Sequence, residues 1–331
     1  MLRLLYVTDT HIRGTTPRSR TDDFVDALRK KLNEVVDIAE REKVDAVLHG
    51  GDLFDRPDLS PAVVRDFARL LRRLKVPIYV VAGNHDVFGH NPDTVDRTML
   101  GLLDAFGTVR LIRPGEKILL EGVGLTVQLT GQPFHYDLDK REPMLDYSVH
   151  NELGADYCVH MVHGMVVDRP LPPGVPCTMA DSLWSKDVDV LLTGHYHAGF
   201  PVKHRKGRYI VNPGALSRIN NHPSEMKRHP QVAILDFDKE ISVRLIRIQC
   251  AAPGDSVLDR SYLEKAAYRE EKMNAFVQVL RDDREFRALN IREVVEEIAG
   301  LEKVEDEVKH EALRRIALVQ EEMGWKGGEN E

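Results

Sequence analysis

The sequence has few cysteines and no long apolar run, and these shortages exclude several classes of protein. Only 3 of the 331 residues are cysteine, and none belongs to a CxxC pair. An odd, unpatterned set argues against a disulfide framework, so we expect three reduced thiols in a cytoplasmic protein. No run of about 18 apolar residues is present, which predicts that no helix spans a membrane. The opening MLRLLYVTDT lacks the cleavage site of a signal peptide and predicts a first strand instead.

Basic residues are not in excess either. The chain has 46 Lys and Arg against 53 Asp and Glu, a net charge of −7. The whole imbalance lies in residues 251–331, which hold 20 acidic and 13 basic residues, whereas residues 1–250 hold 33 of each. A globally basic nucleic-acid binder is therefore excluded, although local basic loops are not.

Apolar periodicity predicts an α/β fold. Strands are expected at 2–8, 44–50 and 76–83, separated by helices over 22–42 and 61–75. This alternation implies a parallel sheet with helices on its faces. After a helix near 95–106, further strands are expected at 108–112, 116–120, 123–130, 157–163, 188–193, 208–212, 231–237 and 241–248. We expect two packed mixed β-sheets flanked by helices, a four-layer sandwich.

The pattern changes near residue 250. The segment AAPGDS (251–256) interrupts it, and helices are predicted beyond at 258–282, 291–300 and 303–322. We therefore expect a domain over 1–250 and a helical tail over 251–331. The tail either folds back on the domain as a cap or presents an apolar surface to a partner.

Seven side chains suited to metal binding follow predicted strands, in the segments TDTH, GGDLFD, GNHD, VHGM and TGHYH. They are Asp9, His11, Asp52, Asn84, His163, His195 and His197. Because the carboxyl ends of neighbouring strands converge at one edge of a sheet, we expect these side chains to meet. Carboxylate, amide and imidazole donors suit Mn²⁺, Fe²⁺ or Zn²⁺. Seven ligands are too many for one ion, which predicts two, with Asp52 as the best candidate for a bridge.

In order and spacing, these segments resemble the calcineurin-like metallophosphoesterase superfamily, whose pattern is D-x-H, G-D, G-N-H-[DE], H and G-H-x-H. The resemblance covers residues 1–249. It assigns one ion to Asp9, His11, Asp52 and His197. It assigns the other to Asp52, Asn84, His163 and His195. It implies that a water or hydroxide between the ions attacks phosphorus. His85 would stabilise the transition state or protonate the leaving oxygen, and Asp86 would orient His85.

The segments VLHGGDLFDRP, VVAGNHD, TGHYH and YIVNPGAL resemble the SbcD-type DNA repair exonucleases more narrowly. This resemblance implies a DNA substrate, a partner ATPase of the SbcC coiled-coil type, a homodimer and a preference for Mn²⁺ over Mg²⁺, Fe²⁺ or Zn²⁺. We therefore expect a two-metal DNA nuclease that processes DNA ends. The alternative is a cytoplasmic phosphodiesterase or phosphatase for a small nucleotide or phosphoprotein. A metal-bound regulator without turnover is disfavoured because His85 and Asp86 are both present.

Basic residues flank the first and last metal motifs. Arg13 and Arg18 follow the first, and Arg205 and Lys206 follow the last. Such loops could hold a phosphate backbone without reading sequence, or they could be ordinary solvated loops. Arg56, in GDLFDRP, resembles the phosphate-contacting arginine of the GDxxDR motif in Ser/Thr protein phosphatases. Its alternative role is a structural pair with Asp55 or Asp58.

Overall fold

The computed structural model describes residues 1–259, 299–300 and 304–326. The first of two large sheets has, in spatial order, β14 (Ile241–Arg247), β13 (Gln231–Phe237), β1 (Leu2–Val7), β2 (Ala46–His49), β3 (Ile78–Val80) and β4 (Arg110–Leu111). Strands β1 to β4 run parallel, β13 pairs antiparallel with β1, and β14 pairs antiparallel with β13. The sheet is therefore mixed, with its parallel part in the first third of the chain.

The second sheet has a parallel centre with an antiparallel hairpin at each edge. Its spatial order is β11 (Phe200–Arg205), β12 (Arg208–Asn212), β10 (Val190–Thr193), β7 (Tyr157–Val162), β6 (Leu125–Gln132) and β5 (Lys117–Gly122). Strands β12, β10, β7 and β6 run parallel. A small separate sheet pairs β8 (Val166–Val167) with β9 (Thr178–Met179).

Residues 1–259 contain six α-helices, and the two longest begin at residues that favour a helix start. The six are α1 (Phe24–Glu42), α2 (Pro61–Leu71), α3 (Met99–Ala105), α4 (Met144–Tyr147), α5 (Pro223–Lys227) and α6 (Gly254–Val257). Asp23 accepts from the backbone N–H of Asp26 at the start of α1, and Ser60 precedes Pro61 at the start of α2. A side-chain acceptor before the first turn and a proline at its first position both stabilise a helix start.

Alternating side chains of β1 show how the layers pack. Leu5 and Val7 join the core that includes residues of α1 and α2. Leu4 and Tyr6 point to the opposite face and join a second core shared with strands of the second sheet. Successive residues of a strand point to opposite faces, so a strand buried on both sides has few polar positions. The predicted arrangement of two mixed sheets flanked by helices is confirmed.

One strand was not predicted, and one predicted helix begins later than expected. The strand β11 was not expected because Pro201 and three basic residues break the apolar pattern of its sequence FPVKHR. It lies at an edge of the sheet, where a proline and charged side chains are tolerated. The helix predicted near 95–106 is divided at Thr98, whose hydroxyl accepts from the N–H of Gly101 and begins α3.

The chain divides into two compact units, Met1–Asp259 and Arg260–Glu331. The first unit extends nine residues past the predicted boundary at 250, because Leu258 pairs with Arg20 and the N–H of Thr21 donates to Val257 O. The helix predicted from 258 therefore does not include residues 258–259, and its remainder lies outside the described residues.

The second unit is described at residues 299–300 and 304–326, where the helix predicted over 303–322 is found at Asp306–Lys326. Within the described residues, no helix combines the length and the apolar character that crossing a membrane requires.

Candidate metal centre

The side chains with metal-binding groups all follow carboxyl ends of parallel strands. Asp9 and His11 follow β1, Asp52 follows β2, and Asn84 follows β3 in the first sheet. In the second sheet, His163 follows β7, and His195 and His197 follow β10. The structure brings all seven together where the carboxyl edges of the two sheets meet. This is the ligand-binding position expected of open parallel sheets.

The backbone of four of these residues is strained. The φ angles are 52° at Asp9, 44° at His11, 51° at Asp52 and 69° at His195. Left-handed backbone is uncommon for residues with a Cβ and persists only where the surroundings enforce it. Hydrogen bonds from Asp9 N to Gly51 O (3.1 Å) and from His11 N to Asp52 O (3.0 Å) hold the first two loops together. Strain collected at one cluster is typical of a functional site.

Glycine is required where the loops approach the ligands. A Cβ at Gly83 would lie 2.1 Å from Asp52 Oδ1, and a Cβ at Gly51 would lie 2.3 Å from His163 Nδ1. Gly51 also has a φ of 99°. The glycines in GGD and GNHD therefore let the backbone pass directly against the ligand side chains.

One half of the cluster contains Asp9, His11, Asp52 and His197. One potential ligand atom from each of the four lies within 4.8 Å of the others. His11 Nε2 lies 3.0 Å from His197 Nε2 and 3.7 Å from Asp52 Oδ2. His197 Nε2 lies 3.6 Å from Asp9 Oδ1. These atoms therefore surround one point that a cation could occupy.

The other half contains Asp52, Asn84, His163 and His195. His163 Nε2 lies 3.3 Å from Asp52 Oδ2 and 3.2 Å from Asn84 Oδ1. Ligand atoms of Asp52, His163 and His195 also lie within 4.8 Å of one another. His163 Nδ1 donates to Gly50 O at 2.8 Å, which leaves Nε2 as the nitrogen that faces the cluster. Asp52 Oδ2 thus lies between the two halves.

The charge of the cluster fits a cation. Asp9 and Asp52 are fully buried, and among the described residues Asp52 Oδ2 has no hydrogen-bond partner. Burial lowers the pKa of His163, but the charges of Asp52 and Asp9 outweigh burial and raise it to about 9. Burial and the charge of His163 lower the pKa of His195 to about 3. The carboxylates therefore draw positive charge to this point, and the same field would favour divalent ions bound to neutral imidazoles.

Asp55 supports the first half, and sequence reasoning considered it only as a partner for Arg56. Its Oδ1 lies 3.6 Å from His11 Nδ1, and its Oδ2 lies 3.1 Å from Arg13 Nη1. Ligand atoms of His11, Asp55 and His85 form a third close group. A carboxylate behind a ligating imidazole fixes the ring and makes it a better donor. In the sequence, only the spacing GD-x-x-D could have indicated that Asp55 belongs to the site.

His85 lies beside the two halves. Its Nδ1 donates to Asp55 O at 2.9 Å, and its ring meets the His11 ring edge-on at 4.8 Å. Its backbone N–H donates to Asp52 Oδ1 at 2.8 Å. With Nδ1 occupied, Nε2 is the nitrogen available to a substrate.

The predicted role of Asp86 requires correction. Its carboxylate accepts from the backbone N–H groups of Leu53 (3.2 Å), Phe54 (2.9 Å) and Gly83 (2.9 Å). The His85 ring is instead held by the carbonyl of Asp55. Burial, reinforced by the charge of Asp52, raises the pKa of Asp86 to about 7. Asp86 therefore ties the Asp52 loop to the Asn84 loop and affects His85 only through the backbone.

Three predicted basic contacts lie on the loops of the first sheet. Arg13 is within the site through its ion pair with Asp55, and Arg18 is exposed on the same loop. Arg56 is exposed and pairs with Asp58 at 3.5 Å, the structural alternative considered for it. Of the three, only Arg13 has a charged partner that also contacts a metal-binding side chain.

Arg205 and Lys206 were predicted to lie on a loop beside the metal site, and they do not. They form the exposed turn between β11 and β12. Strand β12 is parallel to β10, so its carboxyl end at Asn212 contacts the loop of His195 and His197, with Asn212 Nδ2 donating to Tyr196 O. The turn is at the amino end of β12, which at about 3.3 Å per residue is roughly 13 Å from Asn212. These two residues follow the last metal motif in the sequence, but they lie away from that motif in the folded protein.

The loop after Asn212 forms backbone hydrogen bonds with the first and last ligand loops. The N–H groups of Ala215, Leu216 and Ser217 donate to His197 O, Thr8 O and Asp9 O. Arg228 donates to the carbonyls of Ala215 and Ser217, and Lys31 Nζ donates to Leu216 O at 3.0 Å. The NPG segment thus connects the first and last ligand loops, in keeping with the resemblance to SbcD-type nucleases, in which the strand that ends in NPG closes the wall of the site after the last ligand pair.

The calcineurin-like phosphoesterase family model matches residues 2–199. This is more than half of the chain, and the chain belongs to the calcineurin-like phosphoesterase family. Its class is therefore that of metal-dependent hydrolases, which confirms the predicted class. Its cluster of aspartate and histidine side chains can bind metal.

Curated relatives called DNA double-strand break repair protein Mre11 also align with the chain. The protein from Methanosarcina acetivorans is 26% identical over 259 residues, which cover 74% of this chain and 39% of the relative. The protein from Thermoplasma acidophilum is 38% identical over 87 residues, which cover 25% of this chain and 22% of the relative. The alignments thus span less than half the length of these relatives.

Solved structures of related folds superpose on the chain. The calcineurin-like phosphoesterase YfkN from Bacillus subtilis has a TM-score of 0.46 at 15% identity, covering 84% of this chain and 98% of YfkN. A 5′-nucleotidase precursor from Thermus thermophilus has a TM-score of 0.45 at 15% identity, covering 85% and 59%. The fold assignment rests on the sheets and the family model rather than on these superpositions.

Proposed function

We propose that this protein is a two-metal nuclease that hydrolyses phosphodiester bonds in DNA. The observation that carries the two-metal part is the position of Asp52 Oδ2, which lies 3.7 Å from His11 Nε2 and 3.3 Å from His163 Nε2. One carboxylate between two sets of donors is the arrangement that a pair of ions requires. We propose Mn²⁺ as the native metal on the basis of the resemblance to SbcD-type nucleases; the mixed oxygen and nitrogen donors also suit Fe²⁺ or Zn²⁺.

The chain's own residues have distinct roles in this reaction. Divalent ions at the cluster would lower the pKa of a coordinated water and neutralise charge on the phosphate oxygens. Asp9, His11 and His197 hold one side of the site, and Asn84, His163 and His195 hold the other. His85 Nε2 is available to donate a hydrogen bond or a proton to the leaving oxygen, because its Nδ1 is fixed by the Asp55 carbonyl.

The DNA substrate is supported by the names of the curated relatives and by Arg13 beside the site. In the same way we propose an SbcC-type ATPase as partner, the segment beyond Asp259 as its docking element, a homodimer and a cytoplasmic location. Co-purification of the ATPase with the full chain, and not with a chain ending at Asp259, would support the docking element.

A second candidate is a phosphodiesterase or phosphatase for a small nucleotide or phosphoprotein. The position of Arg205 and Lys206 favours it, because one of the two basic groups that suggested DNA lies away from the cluster.

A substrate panel with Mn²⁺ separates the two candidates. It contains linear duplex, single strand, hairpin, a cyclic dinucleotide and p-nitrophenyl phosphate esters. We expect cleavage of the DNA substrates with full dependence on metal. Efficient turnover of only the small esters would contradict the nuclease assignment.

A further inference from the structure

A cavity of about 590 Å³ opens beside the metal cluster. It lies between the helical turn Pro92–Arg97, the segment after β4 and the segment after β6. Its apolar lining includes Ala82, Pro92, Leu111, Ile112, Pro114 and Phe134. A volume of this size is in the range of small-molecule sites, roughly 300–1,000 Å³. The cavity is therefore large enough for a flat ring system.

The cavity shares its wall with the metal cluster. Ala82 lies two residues before Asn84, and its carbonyl accepts from Phe134 N at 2.9 Å. Gln132, also in the lining, accepts from His163 N at 3.1 Å through its carbonyl. The Phe134 ring lies 6.5 Å from the His195 ring. A group in the cavity would therefore be next to whatever the cluster binds.

The charges of the lining do not favour a phosphate. Arg113 pairs with Asp96 at 2.6 Å, and Asp96 itself lines the cavity together with Asp93. Arg141 Nε donates to Asp146 Oδ2 at 2.9 Å. The two arginines are thus committed to carboxylates, and an anion would meet acidic side chains as well. A neutral, flat, partly apolar group fits this lining better.

Phe134 and Tyr136 both contact the turn at 88–90. The His90 ring meets the Phe134 ring edge-on at 5.9 Å, and Tyr136 Oη donates to Gly89 O at 3.2 Å. These contacts join the turn at 88–90 to the segment after β6. Phe134 is half-buried, packs against the neighbouring core cluster and borders the cavity.

We propose that this cavity is a nucleobase subsite, in which Phe134 stacks on the base of the nucleotide next to the scissile phosphate. The proposal rests on the proposed function and adds a recognition element to it. Stacking tolerates every base, because each base has a π-face, so the subsite would favour nucleic acid over simple phosphodiesters without reading sequence.

Chromogenic esters that share the same leaving group, p-nitrophenolate, test the subsite. The 5′- and 3′-(p-nitrophenyl phosphate) esters of thymidine are compared with methyl p-nitrophenyl phosphate, which has no base. Base stacking of about 1–3 kcal/mol corresponds to a preference of about 5- to 150-fold in kcat/KM. We expect this preference for at least one thymidine ester, and a loss of most of it in Phe134→Leu, which keeps apolar volume without a stacking face. Phe134→Tyr should retain it.

The matched control is Phe106→Leu, since Phe106 is 74% exposed and lies outside the cavity lining. It should leave the preference unchanged. Thermal unfolding followed by circular dichroism would show whether each variant is folded. No preference in the native protein, or an unchanged preference in folded Phe134→Leu, would overturn the proposal.

A binding measurement keeps the subsite separate from the proposed function. The proposed function fails if the DNA substrates of the panel are not cleaved. In that case, or if neither class of ester is hydrolysed, saturation-transfer NMR of thymidine with metal-free protein tests the cavity alone. Transfer that is lost in Phe134→Leu and retained in Phe106→Leu supports the subsite. Absence of transfer in the native protein refutes it.

Discussion

The two ends of the strands in the second sheet, called here the carboxyl edge and the amino edge, differ in how their polar side chains are exposed. At the carboxyl edge, His163 is buried and His195 has a left-handed backbone. At the amino edge, Arg205 and Lys206 are exposed on a hairpin turn. Burying polar and charged groups costs free energy unless partners or ions compensate, whereas an exposed cation costs little anywhere. The buried edge is therefore strong evidence for function and the exposed edge is weak evidence.

We expect the largest loss of metal and of activity for Asp52→Asn, at the buried site. The substitution removes the one carboxylate that lies between both donor sets, so both ions should be lost and activity should fall to background. Metal content by mass spectrometry checks this directly. Asp58→Asn, an exposed acid in the same loop that pairs with Arg56, is the matched control. Retention of two ions in Asp52→Asn would refute its bridging role.

A smaller effect on turnover, with no effect on metal, is expected for His85→Asn. Loss of a general acid typically lowers the rate about 10²- to 10⁴-fold. His85 lies beside the cluster with Nδ1 bonded to the Asp55 carbonyl, so we expect two bound ions and a fall of this size in kcat. If metal is lost together with activity, His85 is a ligand and the assigned role is wrong.

Asp55→Asn should affect only one half of the metal cluster, the half that contains His11. Its carboxylate lies behind His11, whereas His163 is fixed by the carbonyl of Gly50. Replacing such a supporting group typically lowers metal affinity about 10- to 100-fold. Calorimetric titration should show one weakened and one unchanged binding step. Equal weakening of both steps would mean that Asp55 acts on the cluster as a whole.

The smallest effect is expected at the amino edge. Replacing Arg205 and Lys206 together by Glu should change DNA affinity by less than about twofold and leave its salt dependence unchanged, since neither side chain is near the cluster. The matched pair Arg13→Glu and Arg18→Glu, on the first ligand loop, should weaken binding and flatten the salt dependence. A flattened slope in the hairpin variant instead would show that DNA reaches the amino edge.

Much of the fold could be predicted because its signals are local. Buried parallel strands are short apolar runs, and helices α1 and α2 have clear periodicity and caps. The seven metal-binding side chains could be found because each follows a strand, and parallel strands direct their carboxyl ends to one edge. The edge strand β11 was missed because one-sided burial leaves little apolar pattern.

The supporting contacts could not be predicted because they depend on long-range geometry. Asp55 and Asp86 are both acids next to ligand motifs, and only the folded loops show that one supports His11 while the other binds three backbone N–H groups. The error at Arg205 and Lys206 has a similar origin. Sequence shows that a cation follows a motif, but it does not show that β11 carries Arg205 and Lys206 to the opposite end of the sheet.

The most direct test of the two-metal account is a titration of metal-free protein with Mn²⁺, in which bound metal and DNA cleavage are followed together. We predict that cleavage rises with the second equivalent and reaches its plateau at two ions per chain. Full cleavage at one ion per chain would contradict the account.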